Sequence, residues 1–430
     1  MSIIAENEQL REITQTSGAL RGARREAALG KSTITVTPPP SSGLREPFEL
    51  REPFDAADTA QYLADSRRLR YARLDTAARV LSSDRVAKCS RMPVPGTDYV
   101  HIKHNGSSAS YGNLTTCGSV WVCPVCSARV NMERRVELQE AISSTRSFGG
   151  GAYLLTMTIQ HTSSDSLAGL LDVLVEAWRR TKRGKPWSRV LERYGVVGHV
   201  TVLEVTYGDN GWHPHKHALL FTKVPLSAAQ VSALEAWLSA RFCRMASKLG
   251  GYASPRYGAD LRGGPLDDRG IDEVTKYVTK FGLDSELTDT GGKEAHGFTP
   301  FQLLDSLVFN DKTAALFQEY AAAMKGRRQL VWSRGLRDLL GLSDERGDVE
   351  IAQDDLVEPS VVIMTLTGFQ FAQVTLRGLR GELLAFASSC PDAEKIWLWL
   401  QSHRVKLRPD KVGDDYRRAK VLGRLKRGLV

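Results

Sequence analysis

Hydrophobic and polar positions alternate in several short stretches between residues 150 and 265, and between these stretches they recur at helical spacing. YLLTMTIQ (153–160) alternates as a half-buried strand does. Leu167, Leu170 and Leu174 instead fall on one face of a helix. The pattern predicts a strand at 153–160, a helix at 164–180, strands at 199–207 and 212–222, a helix at 227–251 and a strand at 257–264.

This order of elements, β-α-β-β-α-β, is typical of a ferredoxin-like split sheet and predicts an α+β fold with an antiparallel sheet. A further helical stretch, IDEVTKYVTKF, follows the last strand, and the flanking segments are helical or mixed. The predicted regions are a polar, disordered or loosely docked N-terminal region (1–85), a cysteine-containing segment (86–149), the core (150–285), a helical extension (286–345) and a C-terminal region of mixed short strands, turns and a helix, with a basic tail (346–430).

Composition narrows the class of protein. The chain has 430 residues with nine more basic than acidic side chains, which favours polyanionic partners. Its longest apolar runs are far too short to span a membrane, and the N-terminus lacks a signal-peptide pattern, so we expect a cytoplasmic protein.

AALGKST is similar to a phosphate-binding loop but has Arg25 where that motif needs glycine, which argues against an ATPase. The basic C-terminal tail is either a solvated tail or a DNA contact.

The stretch GWHPHKHALLF places His213, His215 and His217 at alternate positions, so that a strand would point all three to one face. A hairpin closing at Asp209 and Asn210 would set Glu204 opposite His215 and Val202 opposite His217. Imidazole nitrogens and a carboxylate together are suitable ligands for Mn²⁺, Zn²⁺ or Mg²⁺. The stretch therefore predicts a metal site, and the alternative is a set of ordinary surface histidines.

Two neighbours of this stretch bear on the site. Pro214 cannot donate a hydrogen bond to a neighbouring strand, which indicates an edge strand or a strand end near open space. His161, at the end of the first predicted strand, is a ligand, a phosphate contact or simply a residue at a strand end.

A second candidate metal site lies in TCGSVWVCPVC, where Cys117, Cys123 and Cys126 have the spacing C-x₅-C-x₂-C. This spacing is similar to part of a structural zinc site, and the alternative is a set of reduced thiols. The fourth ligand would be Cys89, with His101 or His104 as substitutes.

The helical stretch after the core carries a candidate nucleophile. Glu273, Tyr277 and Lys280 stand at positions i, i+4 and i+7 of DEVTKYVTKF and so share one helix face. A tyrosine that attacks a phosphodiester needs its phenolate stabilised by a cation such as Lys280, or a base to remove its proton. Glu273 could activate water or a hydroxyl in a second step. Taken alone, the triplet is also a common charge pattern of exposed helices.

Together, LLTMTIQH, EVTYGDNGWHPHKHALLF and DEVTKYVTK resemble, in order and separation, the three motifs of rolling-circle plasmid replication initiators of the HUH endonuclease superfamily. The resemblance is to the single-tyrosine type with an upstream glutamate found on plasmids of Gram-positive bacteria, including actinomycetes. TCGSVWVCPVCSARV and KGRRQLVWSRGL are also similar to the actinobacterial branch.

The resemblance implies that residues 150–285 form an HUH endonuclease core. His215 and His217 match the metal-binding pair, Glu204 stands where a third ligand is expected, and the role of His213 stays open. Tyr277 matches the nicking residue, Glu273 the residue that promotes hydrolysis at termination, and Lys280 the basic residue after the tyrosine.

The implied reaction is a metal-dependent nick at a plasmid origin, with Mg²⁺ or Mn²⁺ as cofactor and a covalent 5′-phosphotyrosine, followed by strand transfer. The implied partners are single-stranded or hairpin origin DNA, a host helicase and a DNA polymerase, with no membrane; a homo-oligomer stays open. The alternatives are an HUH transposase or relaxase, which should show a second tyrosine or a helicase module, and a non-catalytic, zinc-containing DNA-binding regulator.

Overall fold

The computed structural model describes residues 56–265, 297–305, 309–354 and 360–406. The strands are β1 (Tyr99–His104), β2 (Ala109–Gly112), β3 (Gly151–Thr158), β4 (Val196–Gly208), β5 (Gly211–Thr222), β6 (Ala259–Pro265), β7 (Leu330–Trp332) and β8 (Val361–Thr367). The helices are α1 (Ala56–Val80), α2 (Pro124–Ser147), α3 (Leu167–Thr181), α4 (Gly184–Arg193), α5 (Ala228–Ser247), α6 (Asp311–Met324), α7 (Leu336–Leu339), α8 (Asp348–Gln353), α9 (Gly368–Leu376), α10 (Arg380–Ser389) and α11 (Ala393–Ser402), with short 3₁₀ turns at Arg85–Lys88 and Gln302–Leu304.

The helices that flank the hairpin begin at side-chain caps that the sequence supplies. Ser166 accepts a hydrogen bond from Gly169 N at the start of α3. At the start of α5, Ser227 and Gln230 satisfy each other's backbone N–H groups in a capping box. These caps bond backbone N–H groups that have no partner within their own helix.

A five-stranded antiparallel sheet has the order β6-β3-β5-β4-β7. Without β7, this is the strand order of a ferredoxin-like β-α-β-β-α-β unit, in which the third strand lies between the first two. The predicted α+β fold with an antiparallel sheet is confirmed.

The two faces of this sheet are covered differently. On one face, side chains such as Leu155, Leu203 and Val205 join the main core, which also contains buried side chains of α3, α5 and α6. On the other face, α2 and α7 cover only the half around Leu219 and Phe221. The half that carries the histidines has polar, partly exposed side chains.

A second, three-stranded sheet has the order β2-β1-β8. Its β1–β8 pairing joins the cysteine-containing segment to the C-terminal region, although these were predicted as separate regions. Helix α1 packs on α10, so residues 56–80 differ from the predicted loosely docked region. Arg73 of α1 is buried and forms an ion pair with Asp305 at 2.5 Å. The N-terminal prediction for residues 1–55 lies outside the described residues.

Two stretches differ from their predicted secondary structure. Among their described residues, the predicted helical extension (286–345) also contains β7, and the C-terminal region (346–430), predicted as mixed short strands and turns with a helix, contains one strand, β8, and four helices. A three-residue strand such as β7 is too short to show alternation and forms here by pairing with β4.

Candidate functional site

The hairpin of β4 and β5 has the register predicted from its turn: Glu204 lies opposite His215 and Val202 opposite His217. Pro214 lies in a central strand, so the edge-strand alternative is wrong. Pairing of β3 with β5 stops at Thr158 and His215, which leaves Pro214 one residue beyond the end of β3. The strand-end alternative therefore describes its position.

His217 and Glu204 form the first pair of this site. His217 Nε2 lies 3.1 Å from Glu204 Oε2, while His217 Nδ1 lies 3.1 Å from the hydroxyl of Thr156 on β3. The His217 side chain is 12% exposed and that of Glu204 43%. The carboxylate therefore reaches solvent while the imidazole is held between two partners.

His213 and His215 form the second pair. His215 Nε2 lies 3.2 Å from His213 Nδ1, and His213 Nε2 lies 3.0 Å from the hydroxyl of Thr158. His215 Nδ1 is buried and has no hydrogen-bond partner among the described residues. Burial, with added repulsion from His213 and His217, lowers the pKa of His215 to about 3, so this ring is neutral and able to bind a cation.

The donor set fits a divalent cation. Ligands bound at about 2.0 to 2.2 Å and at right angles to each other lie about 3 Å apart, close to the His217–Glu204 separation. The bond from Thr156 to His217 Nδ1 leaves Nε2 for a ligand role, as partners of metal-binding imidazoles do. His213, His215, His217 and Glu204 form two adjacent pairs, so a shared ion would need these side chains to rotate toward each other.

His161 lies against the hairpin turn. Its Nδ1 is 2.9 Å from the carbonyl oxygen of Asn210, and its ring lies 4.6 Å from that of His213. Gly211 in the turn has φ +85°, and a Cβ there would lie 2.9 Å from Ser163 Cα. The turn requires glycine because the loop after His161 packs directly on it.

The turn end of the hairpin is fixed from the other face of the sheet. Trp212 Nε1 donates to Glu319 Oε2 of α6 at 2.9 Å, and Glu319 Oε1 accepts from Leu167 N at the start of α3. One carboxylate thus holds the hairpin, α3 and α6 together.

The four cysteines of the second candidate site converge. The Sγ atoms of Cys89, Cys117, Cys123 and Cys126 all lie within 4.8 Å of one another and are buried. Cys89 Sγ is 3.5 Å from Cys126 Sγ and 3.4 Å from Cys123 Sγ. Four sulfurs bound tetrahedrally at about 2.3 Å are about 3.8 Å apart, so this cluster could hold a metal ion.

The fourth residue of this cluster is therefore Cys89 and not a histidine. His101 contacts the Thr365 hydroxyl at 3.0 Å, and His104 contacts the carbonyl of Ser388 at 3.3 Å. Both contacts are made within the second sheet and its helices.

The cysteine cluster has an environment that a cation would stabilise. Cys117 N and Cys126 N donate to the sulfurs of Cys89 and Cys123, both at 3.4 Å. Hydrogen bonds from Cys117, Cys123 and Cys126 lower the pKa of the Cys89 thiol, whereas burial raises that of Cys123. The site by itself favours one thiolate, and several buried thiolates together require a cation.

Tyr277, Glu273 and Lys280 lie outside the described residues. In the part of the chain that the structure describes, no helix combines the length and the apolar character needed to span a membrane.

Comparison with known proteins finds a match over the segment that carries the histidine hairpin and three of the four cysteines. Residues 112–227 match the family model described as a replication protein. This segment of the chain is similar to the replication-protein family. The chain is also 29% identical over 318 residues to "Protein rep" of Streptomyces lividans, covering 59% of this chain and 69% of the relative. It is 35% identical over 140 residues to the "Neomycin resistance protein" of Streptomyces cyanogenus, covering 27% and 32%. No solved structure shows a significant match.

The predicted resemblance to a replication protein of the actinobacterial branch is thereby confirmed. The replication-protein segment contains three of the four cysteines and the whole histidine hairpin, while Cys89 and Tyr277 lie outside it. It also contains two side chains that the sequence analysis missed, Thr156 and Thr158. Their alternation in LLTMTIQ shows that they share a face, but only the β3–β5 register places that face beside the histidines.

Proposed function

We propose that this chain initiates rolling-circle replication of a plasmid by nicking one DNA strand at the origin. The observation that carries the proposal is the meeting of His217 and Glu204, at 3.1 Å, beside His213 and His215 on the uncovered half of a ferredoxin-like sheet. The site lies inside the segment that matches replication proteins. A purely DNA-binding regulator would have no need of these side chains.

His217, Glu204 and His215 would hold Mg²⁺ or Mn²⁺, with His213 as a further ligand or as the partner that orients His215. The cation would supply Lewis acidity to the scissile phosphate. Thr156 fixes the ring of His217, and α2 and α7 cover the adjoining half of the sheet. The open half leaves room for a DNA strand.

Tyr277 is the proposed nucleophile, on the strength of its motif. Its phenolate oxygen would form a bond to the scissile phosphorus as the 3′-oxygen leaves and takes up a proton, giving a 3′-OH and a 5′-phosphotyrosine. Lys280 would stabilise the phenolate. At termination Glu273 would activate a water that cuts the regenerated origin, giving a 5′-phosphate and a new 3′-OH. This 3′-OH would attack the phosphotyrosine, which closes the circle and releases Tyr277.

The described ends of the segment that carries Tyr277 support this assignment. The described chain stops at Pro265 of β6 and resumes at Gly297. Phe298 then pairs with Tyr207, near the hairpin turn, through backbone bonds of 2.9 and 2.7 Å. The described chain that follows the segment is therefore paired with the hairpin close to its turn.

We propose that the cysteine cluster holds structural Zn²⁺. Cys89 follows the 3₁₀ turn after α1, Cys117 follows β2, and Cys123 and Cys126 begin α2. The ion would join these three elements, and α2 leads directly to β3 and Thr156. The remaining partners would be the origin as single strand or hairpin, a host helicase and a polymerase, and the site of action would be the cytoplasm.

The test is formation of a covalent adduct. The purified protein is incubated with Mg²⁺ or Mn²⁺ and single-stranded oligonucleotides that tile its plasmid, and the products are separated on a denaturing gel. We expect a metal-dependent adduct on one oligonucleotide with the wild type, none with Tyr277→Phe, and an unchanged adduct with the control Tyr257→Phe, because Tyr257 is an exposed tyrosine before β6.

An adduct that persists in Tyr277→Phe would assign the nucleophile to another residue. Absence of any adduct, with duplex DNA binding intact, would favour the regulator instead.

A further inference from the structure

A buried lysine, a partly buried lysine and a buried histidine lie on the helix-covered face of the sheet, opposite the face that carries His217. Lys216 of β5 is 7% exposed, and its side chain makes no hydrogen bond or ion pair with any residue in the described ranges. Lys182, just after α3, has its Nζ 3.0 Å from His199 Nε2 and 5.0 Å from the centre of the Trp178 ring. His199 itself is 8% exposed. Neither lysine has a carboxylate partner within the described part of the chain.

These groups adjoin a cavity of about 410 Å³ at the β7 edge of the sheet. Its polar lining includes Arg179, Lys182, His199, Ser333 and Arg334, and no acidic residue is among the described residues that line it. Lys216 does not line the cavity itself; it pairs with Leu203, two residue pairs along the hairpin from Thr201, which does line it.

The surrounding ion pairs do not neutralise the two lysines. Arg179 at the rim is paired with Glu176 at 2.5 Å. Arg327 is paired with Asp172 at 2.7 Å. Arg334 is exposed and has no ion pair or hydrogen bond to a described side chain. The cluster therefore keeps an excess of positive charge.

Electrostatics agree with this geometry. Burial lowers the pKa of Lys182 and of Lys216, each to about 8, and the two charges also oppose each other. Burial lowers the pKa of His199 to about 3, and both lysines contribute to that shift. A buried cation without a counterion is costly, so an anion in the cavity would stabilise the fold.

The cavity also offers a neutral donor. Ser333 Oγ accepts a hydrogen bond from His199 N at 2.9 Å, and its own hydrogen remains for an acceptor. Phosphate oxygens accept hydrogen bonds from lysine, arginine and hydroxyl donors together.

We propose that this cavity binds a phosphate group, held by Lys182, Ser333 and Arg334, with the nearby charge of Lys216 adding to the attraction. The phosphate belongs to a DNA strand that passes along the edge of the sheet away from the nick, or to a free nucleotide. The first source rests on the proposed function, and the phosphate chemistry does not.

The experiment measures thermal unfolding and phosphate affinity without divalent cations. At equal ionic strength, inorganic phosphate should raise the unfolding temperature of the wild type more than chloride does, because a ligand that binds only the folded state stabilises it. Lys182→Met should lower phosphate affinity at least about tenfold, the loss expected for one charge-assisted hydrogen bond, and Lys216→Met should lower it by less, because Lys216 acts through its charge alone. Without phosphate, Lys216→Met should unfold at a higher temperature than the wild type, because an unpaired buried charge is gone.

Matched controls separate this site from general charge effects. Lys395→Met removes an exposed lysine of α11 and should leave the phosphate effect unchanged. Lys182→Arg keeps the charge and should retain most of the affinity. Arg334→Ala should weaken the affinity, and it serves as the test if the lysine variants do not fold.

Competition distinguishes the two sources. Displacement of phosphate by a single-stranded oligonucleotide assigns the site to DNA, and displacement by a nucleoside monophosphate alone assigns it to a free nucleotide. Tyr277→Phe should keep the phosphate effect, so failure of the nicking proposal would leave this result intact. A wild type that phosphate stabilises no more than chloride, or a phosphate effect that stays at the wild-type level in both Lys182→Met and Arg334→Ala, would overturn the proposal.

Discussion

The cysteine cluster and the histidine hairpin are two candidate metal sites in one chain, and their side chains are arranged differently. The four cysteine sulfurs are buried and lie within 4.8 Å of one another. The hairpin donors form two pairs, and Glu204 is 43% exposed. One site is closed by the fold around it, and the other is open to solvent.

This difference matches the two roles proposed for the metals. A structural site has all its ligands in place and no open position, whereas a catalytic site needs a coordination position for substrate. The cysteines lie where three chain segments meet, so an ion bound there would stabilise the fold. The histidines lie on one regular hairpin whose backbone is fixed by strand pairing on both sides, so its shape does not depend on a metal.

The largest expected effect is loss of a cysteine ligand. Cys123→Ser should remove the bound metal and cost more than about 4 kcal/mol of unfolding free energy, because losing a structural metal is among the few changes of that size. The checks are metal content by mass spectrometry, with one zinc per chain expected in the wild type, and thermal unfolding. Cys390→Ser, a thiol outside the cluster, serves as the control and should retain the metal. Equal metal content in the two variants would rule out a cysteine metal site.

The two regions also differ in what could be predicted from sequence. The register of the hairpin followed from its turn, because a two-residue connection fixes the pairing along both strands, here as far as Gly198. The choice of Cys89 over His101 and His104 did not, because the contact between Cys89 and Cys126 crosses 37 positions of the chain. Periodicity predicts local elements and not which distant loops meet.

The same limit explains the other differences. Pairing of β1 with β8 joins residues far apart in the chain, and neither strand shows which partner it takes. Helix α1 packs closely, but its arginines and alanines give no clear apolar stripe, so its sequence resembled a polar linker. The roles of Thr156 and Thr158 required the β3–β5 register in addition to their own alternation.

A brief chelation should separate the two sites directly. Treatment with EDTA should abolish nicking, because an open site exchanges its ion with solvent, and added Mn²⁺ or Mg²⁺ should restore it. The unfolding temperature should stay unchanged over the same period, since the cysteine site is buried. A parallel fall in nicking and in unfolding temperature would show that one metal serves both roles and would break the comparison.

Removal of a hairpin ligand should affect activity and leave stability nearly unchanged. His217→Ala should reduce adduct formation by about 100-fold or more, the scale of losing a metal's stabilisation of the transition state. Metal titrations of the adduct reaction and thermal unfolding provide the two readouts. His403→Ala, an exposed histidine of the C-terminal helices, is the matched control. Nicking by His217→Ala at the wild-type rate would remove this residue from the ligand set.

The smallest effect comes from the threonines of β3, and it decides the open role of His213. Thr156→Val removes the partner of His217 Nδ1 and should weaken Mn²⁺ activation by about tenfold, the lower end for loss of a bond that orients a metal ligand. Thr158→Val removes the corresponding partner of His213 Nε2. Thr158 lies only two positions after Thr156 on the same strand, so the two variants are closely matched. If His213 is a ligand, the two variants should have similar effects on the Mn²⁺ concentration needed for half-maximal nicking. If it only orients His215, Thr158→Val should have the weaker effect, because its hydroxyl is then one bond further from the ion.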